Sequence, residues 1–318
     1  MTQRPARLPN FIIGGAMKCG TSTLHQMLAD LPDVFIPEPE IYFFSIDDIE
    51  QHPEFFVGPR GSWQDRDFDQ DQDEYLDWYT SFFGAAPDGA TIGEDSTSYL
   101  HSKRCAARIR ALLPDVRMVF LLRDPAARTY SHYWHLVRTG RATEDFEGTL
   151  RHAPGTLFQR SRYREQLAVY ADAFPADQLK VVIFEDLVER PDDVVRGVIE
   201  FIGLPQPAEL PAVAHRNPAR VPRSITAQLW RNRLFRDRVT NRFRGHLPGT
   251  VRPTGVQEEM VRGRFARWNL RTDRRPPPMQ PDTHRFLNAL FRRENAGLSE
   301  LIGHDVERRW YRDPPAQP

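Results

Sequence analysis

Apolar residues along this chain fall into two spacings. Short, near-continuous apolar runs stand at Phe11-Ile-Ile13, Val34-Phe-Ile36, Val116-Arg-Met-Val-Phe-Leu-Leu122 and Lys180-Val-Val-Ile-Phe184. Runs of that length read as strands, and their apolar character on both faces is that of a covered parallel sheet. Between them the spacing turns helical. Leu24, Met27 and Leu28 share a face after Thr21, and Leu76, Tyr79, Phe82 and Phe83 share one within 75–83. Further helices are predicted at about 106–113, stopped by Pro114, from Pro125 to about Gly140, at 160–174 and at 192–202. Gly93 to Tyr99 reads as a strand end feeding a loop. Two prolines keep 37–45 from starting a helix, and 51–73 and 205–222 read as irregular. Helices are also expected at about 224–243, 257–268 and 281–302, with Pro276-Pro-Pro278 as a stiff spacer. Strands alternating with helices predict an α/β domain, a central parallel sheet with helices on both faces. The expected organisation is one domain over 1–318, with a core at 9–205 and a C-terminal helical lid at 206–312.

The sharpest chemical signal follows the first strand. Gly14 to Gly20 forms a tight loop, and Thr21-Ser-Thr23 opens a helix. A strand, a glycine-bearing loop and a helix N-terminus make an anion site, because first-turn amides have no intrahelical partners and the peptide dipoles favour negative charge. The nucleotide triphosphate version of this loop carries lysine directly after its second glycine. Here Gly15-x-x-x-x-Gly20 is followed by Thr21 and Ser22, and the positive charge sits inside the loop at Lys18. Only three lysines occur (Lys18, Lys103 and Lys180) against forty arginines, so a compact, movable ammonium at this place looks selected. A second polar motif, Arg123-Asp-Pro-Ala-Ala-Arg-Thr-Tyr-Ser131, follows the strand ending at Leu122. In a parallel sheet both motifs lie beyond the carboxyl ends of strands, where ligands collect. A guanidinium at Arg123 suits a phosphate, and the Ser131 hydroxyl adds a further bond.

Met17-Lys-Cys-Gly-Thr-Ser-Thr23 resembles the 5′-phosphosulfate loop of sulfotransferases that use 3′-phosphoadenosine 5′-phosphosulfate (PAPS), most of all the carbohydrate branch, such as the heparan sulfate sulfotransferases, and its bacterial relatives. The resemblance implies a P-loop-containing three-layer fold and transfer of a sulfuryl group from PAPS to a hydroxyl or amine. Lys18, Cys19, Gly20, Thr21, Ser22 and Thr23 would hold the donor, and Arg123 with Ser131 would seat its 3′-phosphate. Cys19 is expected mainly to pack, and Arg128 to make a surface salt bridge. The transferred group carries less charge than a phosphoryl group, so Lys18 and the loop amides would suffice and no metal is expected. Glu40 stands in Pro39-Glu-Ile-Tyr-Phe-Phe44, which resembles the Lys-Glu-x-x-Phe-Phe segment bearing the catalytic glutamate of heparan sulfate sulfotransferases. Glu40 is therefore the expected general base. Pro39 replaces the usual lysine, and Tyr42 stands where some relatives have histidine, so contacts to the acceptor should differ. The histidine base of the aryl and steroid branch has no recognisable counterpart.

Gly93-Glu-Asp-Ser-Thr-Ser-Tyr99 resembles the Gly-Glu-Lys-Ser-Pro-x-Tyr segment lining the family's acceptor cleft. Glu94 is the alternative base or caps the loop. Asp95 replaces the lysine and would face an anionic acceptor with like charge. Asn217-Pro-Ala-Arg-Val-Pro-Arg-Ser224 resembles the late loop that closes over PAPS, which would bring Arg220 or Arg223 to the 3′-phosphate. The segment from Glu294 to Trp310 resembles the family's terminal helix and is expected to pack. The likeness runs from about residue 9 to residue 310.

Bulk properties narrow the setting. Forty per cent apolar and 27% charged residues fit a soluble globular protein, and two cysteines do not make a disulfide framework. No apolar run approaches eighteen residues, so a cytoplasmic location is expected, unlike the Golgi membrane setting of animal relatives. The net charge of zero hides an asymmetry: acidic residues dominate from Glu38 to Asp77, and arginine dominates from Arg216 to Arg275. The basic stretch suits a polyanionic substrate, nucleotide phosphates or a membrane surface, or pairs with the acidic segment. The expected acceptor is a saccharide, a glycolipid or a natural product, and no nucleic-acid partner is expected. Two rivals remain at this point: a P-loop kinase using ATP, and a non-catalytic nucleotide-binding protein on the same fold.

Overall fold

A computed structural model of the chain describes residues 7–38, 40–57, 62–211, 220–235 and 263–311. Pro39, residues 217–219 of the late loop and most of the arginine-rich stretch fall outside these. The backbone groups into two compact units, Met1–Arg123 with Gln166–Arg216, and Asp124–Glu165 with Asn217–Pro318.

The first unit is built on five parallel strands, β1 (Phe11–Gly15), β2 (Val34–Phe35), β3 (Thr91–Asp95), β4 (Arg117–Leu122) and β5 (Leu179–Ile183), in the order β2-β3-β1-β4-β5. Every residue of β1 is buried, and Met118 to Leu122 of β4 are wholly so. The apolar runs at 11–13, 116–122 and 180–184 thus form strands as the sequence predicts, because a strand covered on both faces gains from apolar residues at every position. β3 is the exception. Gly93, Glu94 and Asp95 are polar or bare, yet all three are buried. Phe11 lies in register with Gly93, and its ring covers the space a side chain would take.

Helices α1 (Thr21–Ala29), α2 (Gln72–Ser81) and α3 (Cys105–Leu112) belong to this unit, as do the helices Phe184–Glu189 and Pro191–Phe201. The acidic segment is tied down locally. Asp47 pairs with Arg108 at 2.6 Å and Arg104 at 3.0 Å, both from the α3 region, and the Arg108 guanidinium lies 4.2 Å over the Phe68 ring. Burial works against a charge on Asp47, yet the Arg108 hydrogen bond and charge, then Arg104, hold its carboxyl below the usual range. Asp47 thus finds its cations on α3.

The second unit is helical. α4 (Pro125–Thr139) starts with Pro125 in its first turn, is capped by the Asp124 carboxylate accepting from the Ala127 amide at 3.0 Å, and ends at left-handed Gly140. It packs with the helix Pro281–Glu294 around Tyr133, Val137, Leu287 and Phe291. The single helix expected over 281–302 is two, Pro281–Glu294 and Leu298–Ile302, because Gly297 takes φ 80° between them. The short helices Phe146–His152 and Pro154–Phe158 went unread in the sequence, being too brief for their periodicity to register. A two-residue antiparallel pair joins Val221–Pro222 to Leu270–Arg271. Among the described residues no helix is long and apolar enough to cross a membrane.

The Phe11–Gly93 contact gives a direct test of the sheet. A β-carbon at position 93 would fall 2.3 Å from Cζ of the fully buried Phe11 ring. Gly93→Ala should therefore cost about 1–3 kcal/mol through overpacking, read as a lower midpoint in urea unfolding with an unchanged slope.

Candidate functional site

β3, β1 and β4 are adjacent, so the segments that leave their carboxyl ends meet on one edge of the sheet. Backbone hydrogen bonds join them: the Ser96 amide donates to the Ile13 carbonyl at 3.1 Å, Leu100 to Gly14 at 2.8 Å, and Ala16 to Leu121 at 2.8 Å. Gly15 has φ 132°, and a β-carbon there would stand 2.8 Å from the Thr97 carbonyl oxygen. Only glycine fits such a backbone at such a distance. Gly20, at φ 92°, is the N-cap of α1. No side chain caps that end and its first turn holds no acid, in contrast to the capped start of α4. The Thr23 amide donates to the Gly20 carbonyl at 3.0 Å, and the dipole at this end favours negative charge.

Lys18 takes φ 71°, a left-handed conformation that glycine would adopt without strain. The Cys19 thiol is fully buried, with its Sγ 3.8 Å from the Met17 carbonyl, and its amide donates to Ala16 at 3.2 Å. Thr21 is buried, Thr23 half-buried and Ser22 exposed. Arg123, directly after β4, donates from Nη1 to the Lys18 carbonyl at 3.4 Å, and its guanidinium lies 4.5 Å over the Phe184 ring. Phe184 also packs against Gly20. The Arg123 guanidinium therefore lies against the backbone of the loop that carries Lys18, and Phe184 from beyond β5 packs against both Arg123 and that loop.

Glu40 sits on the β3 side of that loop. Its carboxylate accepts from the Tyr42 hydroxyl and from Thr97 Oγ1 at 3.1 and 3.2 Å. Thr97 is the residue whose carbonyl faces Gly15, so a single residue separates Glu40 from the anion loop. Tyr42 is the second non-glycine residue at positive φ, 62°, and its ring packs on His52 at 4.6 Å. The Ile41 and Tyr42 amides both donate to Ser96 Oγ at 3.2 Å. Ser96 in turn donates to Glu94 Oε1 at 2.7 Å.

Glu94 departs from its expected role. It is fully buried and accepts from the Tyr79 hydroxyl at 2.5 Å as well as from Tyr99 and Ser96. An acceptor cannot reach it, so neither base nor substrate contact suits it. It anchors the segment that carries Glu40. Burial pushes its carboxyl up to about 7, against the pull of those three hydrogen bonds, and the Asp95 charge adds to the rise. Asp95 is buried, with Oδ2 3.3 Å from His25 Nδ1 on α1.

The remaining expected residues lie in the second unit. Ser131 is half-buried on α4. Arg220 is half-buried and adds to the burial that lowers the Arg138 pKa, while Arg223 is exposed with its amide on the Asn269 carbonyl at 2.7 Å. Arg128 makes no surface salt bridge. It is wholly buried, and its Nε donates to Ser161 Oγ at 2.5 Å while Nη2 bonds the Leu157 carbonyl. Sequence reasoning missed His25, Ser96, Thr97 and Phe184. Ser96 and Thr97 lie inside the Gly93–Tyr99 stretch, where short polar residues at a strand end were the available signal; Phe184 closes an apolar run read as a strand, and His25 lies on α1.

Residues 9–208 match the Sulfotransferase family along their whole length. The chain belongs to the sulfotransferase family. Among curated relatives, the sulfotransferase chain is 27% identical over 206 residues to human heparan sulfate glucosamine 3-O-sulfotransferase 3B1, covering 62% of this chain and 47% of that one. It is 26% identical over 215 residues to the bovine bifunctional heparan sulfate N-deacetylase/N-sulfotransferase 2, covering 62% and 22%. The chain thus spans less than half the length of either. Among solved structures, a sulfotransferase from Alicyclobacillus acidocaldarius superposes with a TM-score of 0.65 at 27% identity, covering 96% of this chain and all of that one. The fold of this chain is the family's α/β fold.

The raised Glu94 carboxyl makes stability depend on pH in a defined direction. Between the ordinary value of 4.5 and about 7, the folded chain holds a proton that the unfolded chain releases. The Glu94 contribution is therefore greatest below that window, falls as pH rises through it, and is level above it. Its full span is on the order of 3 kcal/mol. Thermal unfolding from pH 5 to 8.5 should show this decline in the natural chain and its loss in Glu94→Gln.

Proposed function

We propose that this chain transfers a sulfuryl group from PAPS to a hydroxyl or amine of a small acceptor. The acceptor oxygen or nitrogen attacks sulfur in line, the bond from sulfur to the bridging phosphate oxygen breaks, and 3′-phosphoadenosine 5′-phosphate (PAP) leaves. Glu40 takes the proton that the acceptor loses. Lys18 and the first-turn amides at Gly20 to Thr23 stabilise the charge that grows on the leaving 5′-phosphate. Arg123 and Ser131 bind the 3′-phosphate, with Arg220 or Arg223 as a further contact, and this selects PAPS over ATP. Cys19 shapes the loop.

The observation that carries this reading is the contact, on the carboxyl edge, between the Arg123 guanidinium and the loop that carries Lys18. Arg123 reaches the Lys18 carbonyl at 3.4 Å, and Glu40 is held by Thr97 against the same loop. A donor with phosphate at both ends of an adenosine offers an anion to each of the two cations, and Glu40 serves the acceptor. The matched relatives are named for heparan sulfate, so a saccharide is the first acceptor class to test. Tyr42 and Asp95 belong to the acceptor side in this reading.

PAP should raise the unfolding temperature of the chain far more than ATP or AMP at equal concentration. Lys18→Ala should lower PAPS turnover by roughly two to three orders of magnitude. Glu40→Gln should lose turnover and keep the PAP shift. Equal stabilisation by ATP, or full activity in Glu40→Gln, would overturn the assignment.

A further inference from the structure

Two hydroxyls grip the Glu40 carboxylate, and they come from different stretches of chain: Tyr42 from the one after β2, Thr97 from the one after β3. A buried side chain that the reaction above does not use touches both stretches. His52 is 6% exposed, and its ring packs on the Tyr42 ring at 4.6 Å. Its Nε2 lies 3.3 Å from Oγ of Ser98, the residue after Thr97. The same nitrogen lies 3.2 Å from Ser45 Oγ, and the two serine hydroxyls are 3.0 Å apart. The Phe55 ring stacks on the imidazole at 4.6 Å and 13°, and the Glu54 carboxylate lies 3.8 Å from Nδ1. Contacts at both nitrogens and with two aromatic rings fix the orientation of the imidazole. A serine, a histidine and a glutamate in a row suggest a nucleophile with its base. Ser45 and Ser98 are 0% and 1% exposed, however, so no substrate reaches either hydroxyl. The row holds other groups in place instead. Tyr42 is a residue that needs holding, since it keeps a side chain at φ 62°. Its amide donates to Ser96 Oγ at 3.2 Å and its carbonyl accepts from the Ser45 amide at 3.0 Å. Its ring rests on His52.

We propose that His52 is a positioning residue for Glu40: locked on Ser45 and Ser98, it holds the Tyr42 ring so that the Tyr42 hydroxyl stays on the Glu40 carboxylate. This rests on the reading of Glu40 as the base. Thr97, the other grip on Glu40, belongs to a stretch pinned to the loop after β1 by the backbone bonds from Ser96 to Ile13 and from Leu100 to Gly14. Tyr42 instead reaches Glu40 through a side chain with two rotatable bonds. The flat imidazole packed against the phenol stops those bonds from turning, and the carboxylate keeps both anchors. Tyr42 then lines the acceptor side with its hydroxyl committed to the base.

The clamp is measured without any acceptor. In the full chain labelled with ¹³Cζ-tyrosine, the signal lost in Tyr42→Phe is that of Tyr42, and its shift follows the hydrogen bond of the phenol. Glu40→Ala removes the hydrogen-bond acceptor and so gives the shift of the released phenol. His52→Leu fills the space but lacks the flat ring and the nitrogen, and it should move the signal toward that released value. His52→Phe should bring the signal back, because it restores a ring beside Tyr42 while the two serines keep each other. A Tyr42 signal unmoved in His52→Leu, or not restored by His52→Phe, overturns the proposal. The second readout is PAP release from PAPS with glucosamine as the acceptor. In His52→Leu kcat should fall roughly tenfold to a hundredfold, with the KM for PAPS and the PAP thermal shift kept. Loss of the PAP shift along with the rate, the mark of a merely structural histidine, overturns the proposal. Where His52→Leu fails to fold, Tyr42→Phe decides: it keeps the packed ring and loses the hydroxyl, so the same fall in kcat supports the clamp and full kcat overturns it. A chain that shows the tyrosine shifts but keeps full turnover in Glu40→Gln retains the clamp and removes the reading of Glu40 as the base instead.

Discussion

The approach of the Gly15 backbone to the Thr97 carbonyl is the contact on which the site depends. No side chain separates the two loops there, and a β-carbon would come within 2.8 Å of that oxygen. The hydrogen bonds from Ser96 to Ile13 and from Leu100 to Gly14 lock the same junction from either side. Because the loop after β1 carries Lys18 and the loop after β3 carries Thr97, this junction ties the Lys18 loop to the residue that holds Glu40. A bulkier residue at position 15 would force the two loops apart, and in the proposed reaction positioning errors of an ångström are costly.

Beneath the junction lies a buried polar layer that substitutes for secondary structure. The segment bearing Glu40 is neither helix nor strand until Phe43, so its backbone polar groups need other partners. Ser96 supplies one by accepting from both Ile41 and Tyr42, and it can do so because its own proton goes to Glu94. Glu94 is surrounded by three hydroxyl donors, Tyr79, Tyr99 and Ser96. A buried carboxylate is expensive unless its lone pairs are filled, and a filled network defines one geometry. The carboxylate shut in the interior thus places Glu40 beside the loop after β1.

What the sequence disclosed and what it hid divide along the same line. β1, β4 and the anion loop were legible because their signals are local: consecutive apolar residues, then glycine and hydroxyls at fixed offsets. β3 was legible only as a strand end, since burial of Gly93-Glu94-Asp95 depends on the Phe11 ring and on tyrosines from elsewhere in the chain. Arg128 looked like a surface residue for the same reason. Its buried partners, Ser161 and Leu157, lie some thirty residues away, and nothing in the motif itself names them. The break at Gly297 was readable in principle, but apolar residues continue at helical spacing on both sides of it. Charge sits in the interior only where tertiary structure brings partners, and a single sequence shows the charge but not the partners.

The two non-glycine residues at positive φ bear on what kind of site this is. Lys18 at 71° and Tyr42 at 62° stand one in the anion loop and one beside Glu40. A left-handed residue with a β-carbon costs about 1–2 kcal/mol relative to glycine, so glycine at either place would make the chain more stable. Each position instead keeps a side chain with a defined task, an ammonium in one case and a hydroxyl donated to Glu40 in the other. Strain held at two points around one junction, and at no other non-glycine residue among those described, marks a geometry set before the ligand arrives. In such a site the polar groups need little reorganisation when charge moves during reaction, and that is where their leverage on the barrier lies.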